Sequence, residues 1–208
     1  MMMPFWSNLP SYTGPMSRLI LLGGRFAQQL SDHNPKGKVT IITSHDLVSD
    51  ITYLDDTAHT RDCHTMEVYW LPWLHGEITT ATIAELNQSG CQYFLTSTFT
   101  GCRFVATDEA VSHVAFTQYG LGDSSEARDL AEIFMPGPKS KRRRKLSITG
   151  STVPLSDEIS TSHTYGSLNR LNGQLQGSAV VVGYRTGNRW HFKALIDSFP
   201  CNYWIALN

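Results

Sequence analysis

Cys102 and His113 are the two side chains of this 208-residue chain whose types and spacing best support covalent chemistry. They lie in FTGCRFVATDEAVSHVAF, residues 99–116, on a segment that reads as one tight hairpin. With Cys102–Ala106 and Val111–Phe116 as strands and a four-residue loop Thr107–Ala110, symmetric pairing sets Ala106 opposite Val111 and Phe104 opposite His113. Cys102 then falls opposite Ala115. Side chains alternate along a strand, so thiol and imidazole emerge on one face as diagonal neighbours, their alpha carbons about 7–8 Å apart. A slip of one residue in either strand would put them on opposite faces.

An imidazole in reach of a thiol takes its proton, and the thiolate is the competent nucleophile. Cysteine with histidine is the minimum for acyl transfer. Gly101 allows a sharp turn and close approach of a substrate, and backbone N–H groups around Gly101 and Arg103 are candidates to hold a developing oxyanion. A third group should orient the ring; Thr96 and Thr98 on the preceding strand, or Thr100 in the turn, offer hydroxyls. The plain alternative is that Cys102 is a small buried hydrophobe and the pair are core residues sharing a hairpin. Spacing alone leaves both readings open.

The elements that must position these groups read mainly as strands: Ser17–Leu22, Lys38–Thr43, Ile51–Leu54, Met66–Leu71, Gln92–Thr98, Ser178–Tyr184, Arg189–Ile196 and Tyr203–Leu207, besides the hairpin. Each is short, rich in β-branched or aromatic residues, and bounded by Gly, Pro, Asn or Asp. Helical pattern is weaker, at Arg25–Ser31, Thr80–Gln88 and Ser124–Phe134; the last has an N-cap at Asp123 or Ser124 and ends at Pro136-Gly137-Pro138. Strands without regular strand–helix alternation predict an α+β fold, a sandwich of mixed β-sheets with a few peripheral helices, in one domain over residues 1–208.

Composition fits an ordinary folded chain: 41% apolar, 17% charged, net charge −1. No apolar run approaches the roughly 18 residues of a membrane span. The opening MMMPFWSNLPSYTGP lacks the basic and apolar regions of a classical secretory signal. Four scattered cysteines, Cys63, Cys91, Cys102 and Cys201, form no C-x-x-C motif and read as reduced thiols. His59, Cys63 and His64 are too few for a zinc site, and there is no phosphate-binding glycine loop or serine-hydrolase elbow, so neither metal nor cofactor is expected. Residues 136–145, PGPKSKRRRK, hold six of the seventeen Lys and Arg residues and read as a solvated basic loop, with docking to an acidic partner as the sharper alternative.

Three landmarks in one order bear a family resemblance. Tyr93-Phe94-Leu95-Thr96-Ser97-Thr98-Phe99-Thr100-Gly101-Cys102 followed by His113, Trp70-Leu71-Pro72-Trp73 followed by Gly76-Glu77, and Gly177-Ser178-Ala179-Val180-Val181-Val182-Gly183 with Thr186-Gly187 resemble the glutamine-deamidase toxins typified by Burkholderia lethal factor 1. That family shares a Leu-Ser-Gly-Cys motif and a downstream histidine with the catalytic domain of the cytotoxic necrotizing factors. Here the motif reads Phe-Thr-Gly-Cys, keeping a hydroxyl at Thr100, and the cysteine-to-histidine spacing is one residue shorter.

The resemblance implies Cys102 as nucleophile, His113 as general base and Thr96 as the third member of a triad. It implies hydrolysis of a glutamine side-chain amide in a host protein, with eukaryotic initiation factor 4A, the target of the lethal factor, as the expected substrate and arrest of host translation as the result. It further implies a bacterial protein, exported without a classical signal, acting in host cytosol as a monomer without direct nucleic-acid binding. Trp70 and Trp73 either line the substrate cleft or pack in the core or rim; Glu77 reads as a loop or cap residue. A cysteine protease or transglutaminase would share the thiol–imidazole pair, and a non-enzymatic module would dock through the basic run instead.

Overall fold

The computed structural model describes residues 36–44, 52–53, 63–115, 143–148, 160–168, 175–198 and 201–207. Its strands are β1 Gly37–Ser44, β2 Thr52–Tyr53, β3 Cys63–Leu71, β4 Ile78–Thr82, β5 Tyr93–Thr96, β6 Arg103–Ala106, β7 Ala110–Val114, β8 Arg143–Ile148, β9 Ser160–Tyr165, β10 Ser167–Leu168, β11 Leu175–Gln176, β12 Ser178–Thr186, β13 Arg189–Ser198 and β14 Cys201–Ala206. One short helix, α1 Ile83–Gln88, joins β4 to β5. A seven-stranded sheet runs β14-β13-β12-β5-β3-β1-β2, a five-stranded sheet β4-β7-β6-β8-β9, and β10 pairs with β11. Pairing is antiparallel except at β3–β5 and β8–β9, so both large sheets are mixed, and the fold is the α+β sandwich expected.

The two sheets meet over a shared apolar interior. Leu71, Phe94, Val181, Phe192, Ala194 and Ile196 of the larger sheet join Ala81, Phe104, Ala106, Val111, Leu146 and Tyr165 of the smaller in one buried cluster. Each fully buried aliphatic or aromatic side chain is worth about 1.5–3 kcal/mol relative to leaving it exposed. Phe94 stands edge-on to Phe192 at 5.4 Å and tilted to Phe104 at 6.3 Å. Gly183, cross-strand partner of both Phe94 and Phe192, supplies the room for this: a Cβ there would lie 2.9 Å from the Phe94 Cβ and from the Phe192 ring. Central strand β12 is buried on both faces, which is why it reads as the unbroken run Ala179-Val180-Val181-Val182.

Three sequence expectations change. Thr80–Gln88 is not all helix: Thr80–Thr82 complete β4, because the β-branched run ITTAT suits a pleated edge, and the helix starts only at Ile83. Thr82 is its N-cap, in a capping box with Glu85. Arg143, Arg144 and Lys145 do not lie in a loop but open β8, with Arg144 opposite Ala106 and Lys145 opposite Val105. β8 and β9 were not anticipated, since RRKLSI and STSHTY lack an apolar alternation to read. The proposed strand Ser17–Leu22, the helices Arg25–Ser31 and Ser124–Phe134, residues 136–142 and His59 lie outside the described residues.

Candidate active site

The hairpin register is the one the spacing predicts. Arg103 pairs with Val114, Phe104 with His113, Val105 with Ser112 and Ala106 with Val111. The Thr107 N–H donates to the Ala110 carbonyl at 2.8 Å, and the Thr107 hydroxyl accepts from the Glu109 and Ala110 N–H groups. These bonds close the turn and lock the register. Because Phe104 belongs to the inter-sheet core, its partner His113 also points inward, where it is 1% exposed. Cys102, two residues before Phe104, lies on that same face, one diagonal step from His113, half-buried and packed against the core.

The facing sheet supplies the next group. β3 and β5 run parallel with Trp70 opposite Leu95 and Leu71 opposite Thr96. Leu71 faces the core, so Thr96 does too. Fully buried, Thr96 reaches across the sandwich, and its Oγ1 hydrogen bonds with His113 Nδ1 at 2.9 Å. A hydroxyl orients the ring as a carboxylate would but adds no charge to a dry interior. On the face of the ring lies Phe99, stacked at 4.2 Å with the planes 16° apart. The Tyr165 hydroxyl donates to the Cys102 carbonyl at 2.7 Å. That bond fixes the plane of the Cys102–Arg103 peptide, and a trans peptide aims the Arg103 N–H opposite to the carbonyl.

No family model and no curated protein matches the chain. Among solved structures it is similar to the C-terminal domain of CNFy from Yersinia pseudotuberculosis, at 12% identity over 81% of this chain and 72% of that one, with a TM-score of 0.35. At that level the likeness carries no argument about activity.

The remaining sequence candidates divide. Trp73 is half-buried and tilts against His75 at 5.9 Å. It belongs to a loop brought to the end of β7: the Gly76 N–H donates to the Ala115 carbonyl at 3.1 Å and the Ala115 N–H to the Glu77 carbonyl at 2.9 Å. The Thr79 hydroxyl, beside His113 in the ladder, donates to the Pro72 carbonyl. Thr100 is exposed in the turn before Cys102. Trp70 is different: it is 0% exposed and faces away from Thr96, with Leu95, on the other side of the seven-stranded sheet. It is a core residue and does not line the site, because strand alternation gives the inward position to Leu71.

The Arg103 side chain turns away from the face that carries Cys102 and His113. It is 1% exposed and shares the outer face of the five-stranded sheet with Val105 and Val114, opposite to Phe104. Gly101 is half-buried; among the described residues positive φ occurs at Gly37, Gly76, Gly90, Gly166, Gly177 and Gly187, so the turn at Gly101 does not use left-handed backbone. Cys91 is a second free thiol; 1% exposed, its pKa is pushed up chiefly by burial, which keeps it protonated and inert. Reading from the sequence missed Phe99 and Tyr165. Phe99 stands three residues after Thr96, a spacing that in a regular strand faces the opposite side, and Tyr165 closes a strand with no visible pattern.

Proposed function

We propose that this protein is a thiol-dependent protein-glutamine deamidase. The observation that carries the reading is the Thr96–His113 hydrogen bond at 2.9 Å, made between two sheets beside the face that carries Cys102. A buried imidazole needs a hydrogen-bond partner in any reading; placed at Nδ1, this one leaves Nε2 as the nitrogen for the thiol. An orienting hydroxyl, an imidazole and a thiol in that order form the relay that nucleophilic acyl transfer requires. The sequence resemblance supports the choice of a glutamine amide over other acyl groups.

In this mechanism His113 Nδ1–H donates to Thr96 Oγ1, and Nε2 serves as the base. It takes the Cys102 proton, and the thiolate sulfur bonds to the carboxamide carbon of a glutamine as the C=O pair moves to oxygen. The N–H groups of the Gly101–Cys102 turn are the donors proposed for that oxyanion. Nε2–H then protonates the amine as the C–N bond breaks, releasing ammonia and leaving a thioester. Water, deprotonated by the same nitrogen, attacks the thioester; the C–S bond breaks and the protein is released with glutamate in place of glutamine.

A glutamine side chain is small, so selectivity must come from the surface around the site, for which Trp73 and Thr100 are the proposed lining residues. By resemblance the target is a host protein, eukaryotic initiation factor 4A, reached in the host cytosol after export from a bacterium. The test is incubation with eukaryotic cytosolic extract, wild type against Cys102→Ser. Ammonia release and amide-to-acid conversion at a mapped glutamine are expected from the wild type alone. Backbone cleavage or an amine adduct would redirect the reading to a protease or transglutaminase, and conversion by Cys102→Ser would end it.

A further inference from the structure

Phe99 takes no part in the proton and acyl transfers, yet its ring lies closer to that of His113 than in any other aromatic pair among the described residues. Its place there depends on an irregularity. β5 pairs with β12 so that Leu95 faces Val182, and Phe99 then bridges to Ala179. Three residues separate the two contacts on the β5 side and two on the β12 side. The extra residue is a β-bulge at Ser97–Thr98. In a regular strand residues 96 and 99 face opposite sides of the sheet; the bulge returns Phe99 to the face of Thr96. Both side chains therefore meet one imidazole, Thr96 at Nδ1 and Phe99 on the ring face.

The bulge is costly. Ser97 Oγ and Thr98 Oγ1 are both buried with no hydrogen-bond partner, which a strand shaped only for stability avoids. Bulges concentrate beside sites where a side chain must be re-aimed. Phe99 is also held firmly. Its N–H donates to the Ala179 carbonyl at 2.8 Å, its carbonyl accepts from the Ala179 N–H at 3.0 Å, and Phe104 and Tyr165 pack edge-on at 6.0 and 6.5 Å.

Cβ, Cγ and Nδ1 define the imidazole plane, so the Thr96 bond already restrains it, but a hydrogen bond tolerates roughly 30° of misalignment and histidine χ2 is broad, which leaves the plane some freedom. A flat surface against the ring removes that freedom. We infer that Phe99 is a positioning residue: delivered by the Ser97–Thr98 bulge, its ring face narrows the orientations of the His113 ring that the Thr96 bond allows, so that Nε2 keeps one direction toward the nucleophile. The inference rests on the Cys102–His113 reading above, and its test separates the two.

The experiment compares wild type, Phe99→Leu, which keeps apolar bulk without a flat face, and Phe99→Tyr, which keeps the face. Ring signals of His113 are followed by NMR, alongside steady-state kinetics on the mapped glutamine substrate. In wild type and Phe99→Tyr the carbon-bound ring protons of His113 should be displaced upfield by the stacked ring; in Phe99→Leu that displacement should vanish. Turnover in Phe99→Leu should fall about tenfold or more with KM little changed, as expected for a misaimed base, and Phe99→Tyr should retain it. Unchanged His113 signals in Phe99→Leu, undiminished turnover there, or lost turnover in a folded Phe99→Tyr overturns the inference. An inactive wild type would instead count against the deamidase reading, while the NMR comparison still decides whether Phe99 sets the ring. If Phe99→Leu does not fold, Phe99→Tyr decides by the same two readouts.

Discussion

Thr96 and His113 belong to different sheets, yet their Oγ1 and Nδ1 atoms lie 2.9 Å apart, both buried, across the middle of the sandwich. The bond makes the active-site reading depend on how the two sheets are stacked and not on the hairpin alone. It also ranks the roles of its members. Thr96→Val keeps the shape and removes the hydroxyl, so it should lose about 1–3 kcal/mol of orientation and satisfied hydrogen bonding, or about 5- to 150-fold in kcat. His113→Ala removes proton transfer itself and should cost about 100- to 10,000-fold. Equal losses, read by deamidation rate on folded variants, would require the roles to be reassigned.

Cys102 and Cys91 should part company toward a thiol reagent. Cys102 is half-buried on the site face, whereas Cys91 is closed off from solvent and its pKa is raised by burial. Brief treatment with iodoacetamide followed by peptide mapping should find Cys102 modified well before Cys91, in step with loss of activity. Modification of Cys91 first, or full activity after complete labelling of Cys102, would contradict the assignment.

The two tryptophans of Trp-Leu-Pro-Trp should behave in opposite ways. Trp70→Ala opens the core behind the seven-stranded sheet and should cost about 3–5 kcal/mol of stability. Trp73→Ala, at a half-buried loop position, should leave the melting temperature nearly unchanged and raise KM for a protein substrate. Thermal unfolding with steady-state kinetics on both variants distinguishes them; a catalytic defect in Trp70→Ala without destabilisation would place it back at the site.

The capping box of α1 should make stability depend on acid pH. The Glu85 carboxyl is held below its ordinary value of 4.5, first by the Lys36 ammonium at 2.6 Å and then by the Thr82 N–H, also at 2.6 Å. A carboxylate with a depressed folded-state pKa stabilises the fold above its unfolded value, near pH 4.5, and that contribution fades as the pH falls through the lower folded value. The pair is well exposed, so the gain is modest, about 1 kcal/mol or less at neutral pH. Wild type should melt above Glu85→Gln at pH 7, and the gap should close in acid. A gap that persisted in acid would point to packing and not to charge.

Much of this was legible along the chain because it is local. The hairpin register followed from the distance between Ala106 and Val111, and most strands of the larger sheet announced themselves by β-branched residues and flanking breakers. Alternation put Cys102 and His113 on one face, and family likeness singled out Thr96. Where the local signal was weak or mixed, reading failed: ITTAT continues a strand into the start of a helix, and the charged and polar strands β8 and β9 hide their pairing.

What only the tertiary structure decided is which residues meet across the sandwich. Trp70 and Leu71 are equally apolar neighbours, and the parallel register with β5 gives the inward place to Leu71, removing Trp70 from the site. Phe99 lies inside the motif that drew attention to Cys102, but one residue of bulge, invisible in the sequence, turns it onto His113. Tyr165 reaches the Cys102 carbonyl from a strand 63 residues away. Sequence periodicity fixes the face of each strand from within that strand; contact between faces depends on pairing order, bulges and sheet stacking, which are properties of the assembled chain.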